Sequence, residues 1–452
     1  MNPAYLEDAS GFKGHAEALF VPKTEPELQE ILREANDKRI PVTIAGAGTG
    51  LTGARVPQGG WVVSIEQFQG IRVEAGRAIV GAGVLLKDLQ AAAAAGGQFY
   101  APDPTEFAAS LGGTIACNAS GSRSFRCGDT RRHVLGLRVV TMGGAVQSYQ
   151  RRDAIDFDTV ALPLPQTTKH SAGFLLHPGM DWLDLFIGSE GTLGVVTEAT
   201  VRLVKVPTEI LAGVVFFKSD AAAFNAVEAW RPIKLLRMLE YFDAGSLELL
   251  RQKNDGIPAA ARAALLVEQE ILNEAEVDAW EQRLENAHAM AEESWFASSE
   301  RERERFRRFR HGLPEAVNNT VRQRGLQKMG TDFAVPLCEN AAMMMFYRDR
   351  LEAEFPGQYV IFGHIGDAHV HVNILPADEA ESERAKVLMV EFASRAVSLG
   401  GTVGAEHGLG KRKAHLLAIQ YSPAQIEAMK AVKRRLDPHW LLGQGTLFSD
   451  SR

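Results

Sequence analysis

The sequence predicts an α+β protein of two domains, the first over residues 1–207 and the second over residues 208–452. Three observations predict it. Glycine clusters in the first half, at 41–60 (PVTIAGAGTGLTGARVPQGG), 111–128 (LGGTIACNASGSRSFRCG) and 188–194 (GSEGTLG). Short β-rich runs lie between these clusters, at 61–65, 78–84, 134–141 and 195–204, the pattern of many short strands joined by turns. The character changes near Pro207, around 206–209. Beyond it, helical patterns at 274–293, 299–324 and 378–399 alternate with strand-like runs at 209–217, 234–241, 263–269 and 358–375. That is the pattern of a sheet covered by helices. The alanine tract 91–95 reads as one helix turn.

Composition narrows the class. A chain of 452 residues has the length of about two or three domains. With 46% hydrophobic and 23% charged residues it is neither disordered nor collagen-like nor disulfide-stapled. Its net charge, 49 − 56 = −7, argues against bulk nucleic-acid binding. Mean hydropathy is −0.11, and no apolar run is long enough to span a bilayer. The opening residues, MNPAYLEDAS, lack the basic start and apolar stretch of a secretory signal. The three cysteines, Cys117, Cys127 and Cys338, form no C-x-x-C pair, so this chain alone builds no iron–sulfur cluster or cysteine zinc site. A sparse, odd cysteine count fits a reducing cytosol. The expected location is cytoplasmic, or peripheral at the inner face of the membrane.

Gly48-Thr49-Gly50-Leu51-Thr52-Gly53 follows the strand-like run Val42–Ala45 and matches G-x-G-x-x-G, with Glu66 downstream. A dinucleotide fingerprint must open a helix. Here Pro57 and Gly59-Gly60 leave no room for one before the strand-like 61–65. The other physical use is a loop of backbone N–H groups curled around phosphate oxygens. A plain Gly-rich connection is the bland alternative.

The second half carries Gly363-His364-Ile365-Gly366-Asp367-Ala368-His369-Val370-His371-Val372-Asn373. At period 2, His369, His371 and Asn373 share one strand face, and His364, before the turn 365–367, can swing in beside His371. Later, the glycines of Gly404-Ala405-Glu406-His407-Gly408-Leu409-Gly410 suggest a tight turn presenting Glu406 and His407. Two histidines and a carboxylate recur as ligands for Zn²⁺, Fe²⁺ or Mn²⁺, and three protein ligands leave positions open for substrate. Hydrogen-bonded histidines on a buried sheet are the alternative. In RERERFRRFR (301–310), Phe306, Leu313 and Val317 form an apolar stripe at helical spacing, and Arg310 falls on it. An inward-facing arginine needs an anionic partner.

Read together, PVTIAGAGTGLTG, LGGTIACNASGSRSFRCGDTRRHVLGLRVV and FIGSEGTLGVVTEATVRLV resemble the FAD-binding domain of the vanillyl-alcohol oxidase / p-cresol methylhydroxylase family, over most of residues 15–207. The resemblance implies that Ala45, Gly46, Ala47, Gly48, Thr49, Gly50, Leu51 and Gly53 cradle the FAD pyrophosphate. It implies that Pro102, Leu111, Gly112, Gly113, Thr114, Asn118, Gly121 and the 188–197 segment, with Glu190, Gly194 and Val196, line the cofactor. The loop has no His, so FAD is expected to be non-covalent. Cys127 stands where relatives more often show Tyr, and a small apolar packing role is expected for it.

The later segments resemble the FAD-linked oxidase C-terminal domain, ferredoxin-like in fold, of the D-lactate, glycolate and D-2-hydroxyglutarate dehydrogenases. Relatives show GHxGDGNLHxN and G-E-H-G-[IL]-G. Carried over by position, the resemblance implies His364, His371 and Glu406 as ligands of a divalent metal (Zn, Mn or Fe). It also implies His407 as catalytic base and Asn373 as a substrate contact. Arg310 matches the substrate-carboxylate arginine, with His311 in place of the usual Glu. Lys328 matches a lysine that precedes Asp332-Phe333-Ala334-Val335-Pro336. Ala368 and His369 replace the usual Gly-Asn, and Leu442-Gly443-Gln444-Gly445-Thr446 replaces N-P-G-K.

The parts imply FAD-dependent oxidation of a D-2-hydroxy acid, of D-lactate type, to the 2-oxo acid. Electrons would pass on to a quinone, a cytochrome, an electron-transfer flavoprotein or a partner subunit. The alternatives are the flavin subunit of a glycolate oxidase complex, a D-2-hydroxyglutarate dehydrogenase and, from another class, a non-redox FAD-dependent group transferase. A homodimer is one candidate assembly, and no nucleic-acid partner is expected.

Overall fold

The computed structural model describes residues 2–449. The chain opens with three parallel strands, Ala18–Phe20, Trp61–Ser64 and Val42–Ala45 in spatial order. The helix Glu25–Lys38 connects the first of these in sequence to Val42–Ala45. It is capped by Thr24, has Pro26 in its first turn, and ends at Arg39 in the left-handed region (φ 58°). Its buried Leu28, Leu32 and Ala35 pack on Val42, Trp61 and Val63.

Five antiparallel strands follow, in the order Ile71–Glu74, Arg77–Gly81, Val195–Arg202, Val134–Val140 and Val146–Gln150. The central strand, Val195–Arg202, buries every second residue, which is the period of a sheet with one face on a core. The helix Leu111–Cys117 lies so close that a Cβ on Gly112 would come within 2.7 Å of Ile65 and 2.9 Å of Ala82.

The second half is a seven-stranded antiparallel sheet. Its order is Trp295–Ala297, Ile210–Phe217, Ala263–Glu270, Leu236–Phe242, Tyr359–Gly363, His371–Ile374 and Met329–Gly330. Leu236–Phe242 is buried throughout because helices cover both faces. Leu239 and Tyr241 pack with Ala223, Val227 and Trp230 on one side. Met238 and Phe242 pack with Leu247, Phe309 and Leu313 on the other.

The helix Glu300–Gln323 runs through Pro314 without ending, and Phe306, Arg310, Leu313 and Val317 all face inward, in the phase the sequence predicts. Two elements differ from expectation. The helix expected over 274–293 stops at Asn286. His288 then takes a left-handed conformation (φ 53°), which turns the chain toward the edge strand at 295. The run 358–375 is a hairpin rather than one strand. The turn Ile365–Asp367 and left-handed Ala368 (φ 50°) reverse it, and the return strand begins at His371.

One apolar cluster spans both halves, joining Leu111, Leu183 and Phe186 to Leu417, Met429 and Leu447. The chain finally returns to its first sheet. Val42 N–H donates to Leu441 O at 2.8 Å and Gly443 N–H to Val42 O at 2.9 Å. Among the described residues, no helix is long and apolar enough to cross a membrane.

Candidate functional site

Four ligand-type side chains meet where the hairpin turn approaches the turn at 404–410. Donor atoms of His364, His369, His371 and Glu406 all lie within 4.8 Å of one another, and all four residues are buried. His364 stands at the end of the strand Tyr359–Gly363, and His371 opens the strand that pairs with it. Glu406 turns Oε1 toward His364 Nε2 (3.2 Å), His371 Nε2 (3.3 Å) and His407 Nε2 (3.6 Å).

The surroundings aim these groups. Glu240, on the buried strand Leu236–Phe242, accepts from His364 Nδ1 at 2.6 Å and from Arg310 Nε at 3.1 Å. It is wholly buried. A carboxylate on one ring nitrogen orients the ring and turns Nε2 toward Glu406, an arrangement that also supports metal-binding histidines. Asp332, also wholly buried, accepts the backbone N–H groups of Ala405 (3.2 Å), Glu406 (3.2 Å) and His407 (2.9 Å) and so shapes the turn. Its other oxygen lies 3.1 Å from His369 Nε2 and 3.4 Å from His407 Nδ1.

Charge sets the protonation states. Burial alone would raise the Glu406 carboxyl, but His364 and Lys169 hold it well below the carboxylate range. Burial likewise opposes Glu240, which His364 and Arg310 bring down to about 2. Burial pulls His364 down, but it ends above its ordinary value because the Glu240 and Glu406 carboxylates together, with the Glu240 hydrogen bond, outweigh burial. Burial pushes His371 down to about 3, so it is a neutral ring with a lone pair to give.

The donor chemistry suits a divalent ion. Imidazoles and one carboxylate converge on one point, His364 is oriented from behind, and both ring nitrogens of buried His369 lack a well-formed hydrogen bond among the described residues.

Arg310 lies behind His364 through Glu240, over the Phe362 ring. It also lines a small cavity of about 40 Å³ with Arg123, Glu268, Arg307 and His311. Lys328 is half-buried just before the strand Met329–Gly330, and burial beside Lys413 lowers it to about 8. Gly330 pairs with Asn373, whose side chain donates to His371 O at 3.4 Å.

In the first half, the loop at 46–53 turns at Gly48 (φ 87°) and Gly53 (φ 78°), a conformation side chains rarely adopt. Among the described residues, none accepts a hydrogen bond from the N–H groups of Gly48, Thr49, Gly50 or Leu51. Such amides suit an anionic cofactor segment. Gly53 N–H is held by Asp8 at 2.9 Å, and Ala47 N–H by Ser110 at 3.3 Å. Thr52 O accepts Lys411 N–H (3.1 Å) and Arg412 N–H (3.0 Å), which ties the loop to the Glu406 turn.

Other predicted cofactor residues have visible packing duties. Asn118 caps the helix Leu111–Cys117 and donates to Asp129 (2.8 Å) and to His170 O (3.1 Å). Glu190 accepts Leu409 N–H (2.9 Å) and Gly410 N–H (2.8 Å), and burial raises it to about 7. Pro102 is buried, Gly113 N–H donates to the Ser110 hydroxyl at 3.3 Å, and the Thr114 hydroxyl donates to Leu111 O at 2.9 Å. Gly121 passes against the backbone of Asp103, Gly194 against Val139 and Phe186, and Val196 pairs with Val139 within the sheet. Cys127 is half-buried and free.

Sequence reasoning did not assign roles to Glu240, Ser120 or Lys169. Glu240 had a signal: a lone carboxylate inside LRMLEYF must find partners when buried.

A glycine loop with free amides, tied through Thr52 to the turn that carries a buried His–Glu cluster, in a two-domain α+β chain, suits a flavin-linked oxidoreductase. Residues 16–149 match the family described as FAD binding domain, and residues 206–447 match FAD linked oxidases, C-terminal domain. The chain belongs to the FAD-linked oxidases. It is 30% identical over 461 residues to glycolate oxidase subunit GlcD of Bacillus subtilis (98% of this chain, 92% of that protein). It is 32% identical over 433 residues to D-lactate dehydrogenase of Archaeoglobus fulgidus (94% and 89%). It is 30% identical over 455 residues to D-2-hydroxyglutarate dehydrogenase of Xanthomonas citri pv. viticola (95% and 89%). Among solved structures, alkyldihydroxyacetonephosphate synthase superposes with a TM-score of 0.67 at 16% identity, over 94% of this chain and 75% of that one. That likeness shows the shared fold alone.

Proposed function

We propose that this chain is a FAD-dependent dehydrogenase that oxidises a D-2-hydroxy acid of D-lactate type to its 2-oxo acid, with a divalent metal at His364, His371 and Glu406. The convergence of His364 Nε2, His371 Nε2 and His407 Nε2 on one oxygen of Glu406 carries the reading. The names of the relatives above, a glycolate oxidase subunit, a D-lactate dehydrogenase and a D-2-hydroxyglutarate dehydrogenase, support the hydroxy-acid class of substrate.

When bound, FAD supplies a two-electron acceptor and the metal a Lewis acid. The protein's own groups do the rest. Arg310, held by Glu240, and Lys328 bind the substrate carboxylate by charge-assisted hydrogen bonds. His407, oriented through Nδ1 by Asp332, takes the hydroxyl proton at Nε2. Asn373 holds the substrate from the same strand as His371.

The test is anaerobic. D-lactate, glycolate, D-malate and D-2-hydroxyglutarate are added to the purified flavoprotein, with and without Zn²⁺ or Mn²⁺, and flavin absorbance is followed. Bleaching by one acid without a second substrate is expected, and the acid that bleaches names the side chain preferred. A flavin band that none of them touches would overturn the reading.

A further inference from the structure

Glu406 is used from both ends, and the residues on its far side come from the other half of the chain. Its Oε1 faces the three histidines. Its Oε2 accepts from the Ser120 hydroxyl at 2.8 Å and lies 3.4 Å from Lys169 Nζ. Ser120 and Lys169 are 2% and 1% exposed, so these contacts are shielded from bulk water. Lys169 Nζ also donates to Gly121 O (3.3 Å) and lies 3.5 Å from Asp367 Oδ2. It thus connects the segment after the helix Leu111–Cys117 with the hairpin turn between His364 and His371.

Burying a lysine is costly unless carboxylates surround it. A buried cation is also an odd neighbour for a metal site, since it repels the ion. Its placement makes sense if geometry outweighs that repulsion. Rotating the carboxylate would break both Oε2 contacts, so they favour the orientation in which Oε1 is presented to the histidines.

We infer that Ser120 and Lys169 are positioning residues that hold Glu406 as a one-oxygen metal ligand, so that the flavin-side half of the chain completes the metal site. This rests on the assignment of Glu406 as a ligand under the proposed function. The two effects of Lys169 have opposite signs. Removing a repelling charge tightens metal binding, whereas releasing the carboxylate weakens it.

The experiment measures Zn²⁺ and Mn²⁺ affinity of the FAD-loaded protein by competition with a chelator, and flavin content beside it. Ser120→Ala and Lys169→Met are each expected to weaken binding by about 10- to 100-fold, the range for groups that orient ligands, with flavin retained. Ser120→Thr, which keeps the hydroxyl, is expected to restore affinity. Tighter or unchanged binding in Lys169→Met, or wild-type affinity in Ser120→Ala, would overturn the inference while Glu406→Ala still lost the metal. Should Lys169→Met not fold, the Ser120 pair decides alone. Wild-type affinity in Glu406→Ala would instead overturn the metal assignment itself.

Discussion

In the loop at 46–53 the groups left to bind are backbone amides, and apart from exposed Leu51 the side chains there are small or absent. Around Glu406 the groups are side chains from the hairpin, the turn at 404–410, the strand holding Glu240 and the segment holding Asp332. An amide loop depends on backbone conformation, so its weak points are glycines. A side-chain cluster depends on who faces whom, so its weak points are single functional atoms and the residues behind them. The two regions touch through Thr52 and the turn, yet they should fail independently.

The largest expected effect separates them directly. Gly48→Val puts a β-branched residue at φ 87° and should abolish FAD binding while metal affinity persists. Glu406→Ala should do the reverse: flavin stays, and turnover falls by about a thousandfold or more. Flavin spectra and metal analysis on both proteins check this. Loss of both ligands in both variants would show that the two regions are one cooperative unit.

A smaller effect is expected at Arg310. Arg310→Ala removes one charge-assisted contact to the substrate carboxylate and leaves Glu240 with His364 alone. KM for the hydroxy acid should rise by about 10- to 100-fold, more than kcat falls. An unchanged KM would take Arg310 out of the substrate site.

The smallest concerns pH. Lys328 is lowered to about 8 by burial beside Lys413, so it is charged below that pH and neutral above it. Affinity for the substrate anion should therefore decline as pH rises through about 8. Lys328→Met should lower affinity only a few-fold at pH 7 and flatten that limb. A limb that survives the substitution belongs to another group.

Much of this was legible beforehand because it is local. Glycine-rich turns, the apolar stripe that carries Arg310 and the alternation that carries His369, His371 and Asn373 are patterns over about ten residues or fewer. The turn at 365–367 was legible, but the return strand begins at His371 rather than His369, because Ala368 takes a left-handed conformation that its residue type does not announce. The partners of the site were hidden for a different reason. Glu240 and His364 are 124 positions apart, and Ser120 and Glu406 are 286 apart. Only folding states such distances. Glu190 was expected beside the cofactor only from the family resemblance, and the structure shows its carboxylate accepting from the Leu409 and Gly410 N–H groups.

The closing contact of the first sheet has a consequence for how the protein is made. Val42 waits for Leu441 and Gly443, which the ribosome delivers almost a whole chain later. Lys433 adds to the same seam by donating to Thr192 O at 2.6 Å and Leu442 O at 2.9 Å. Domains that fold as they emerge normally finish in order of synthesis. Here the edge strand Val42–Ala45 is completed only by residues 441–443, so a chain cut short before them would leave that edge unpaired.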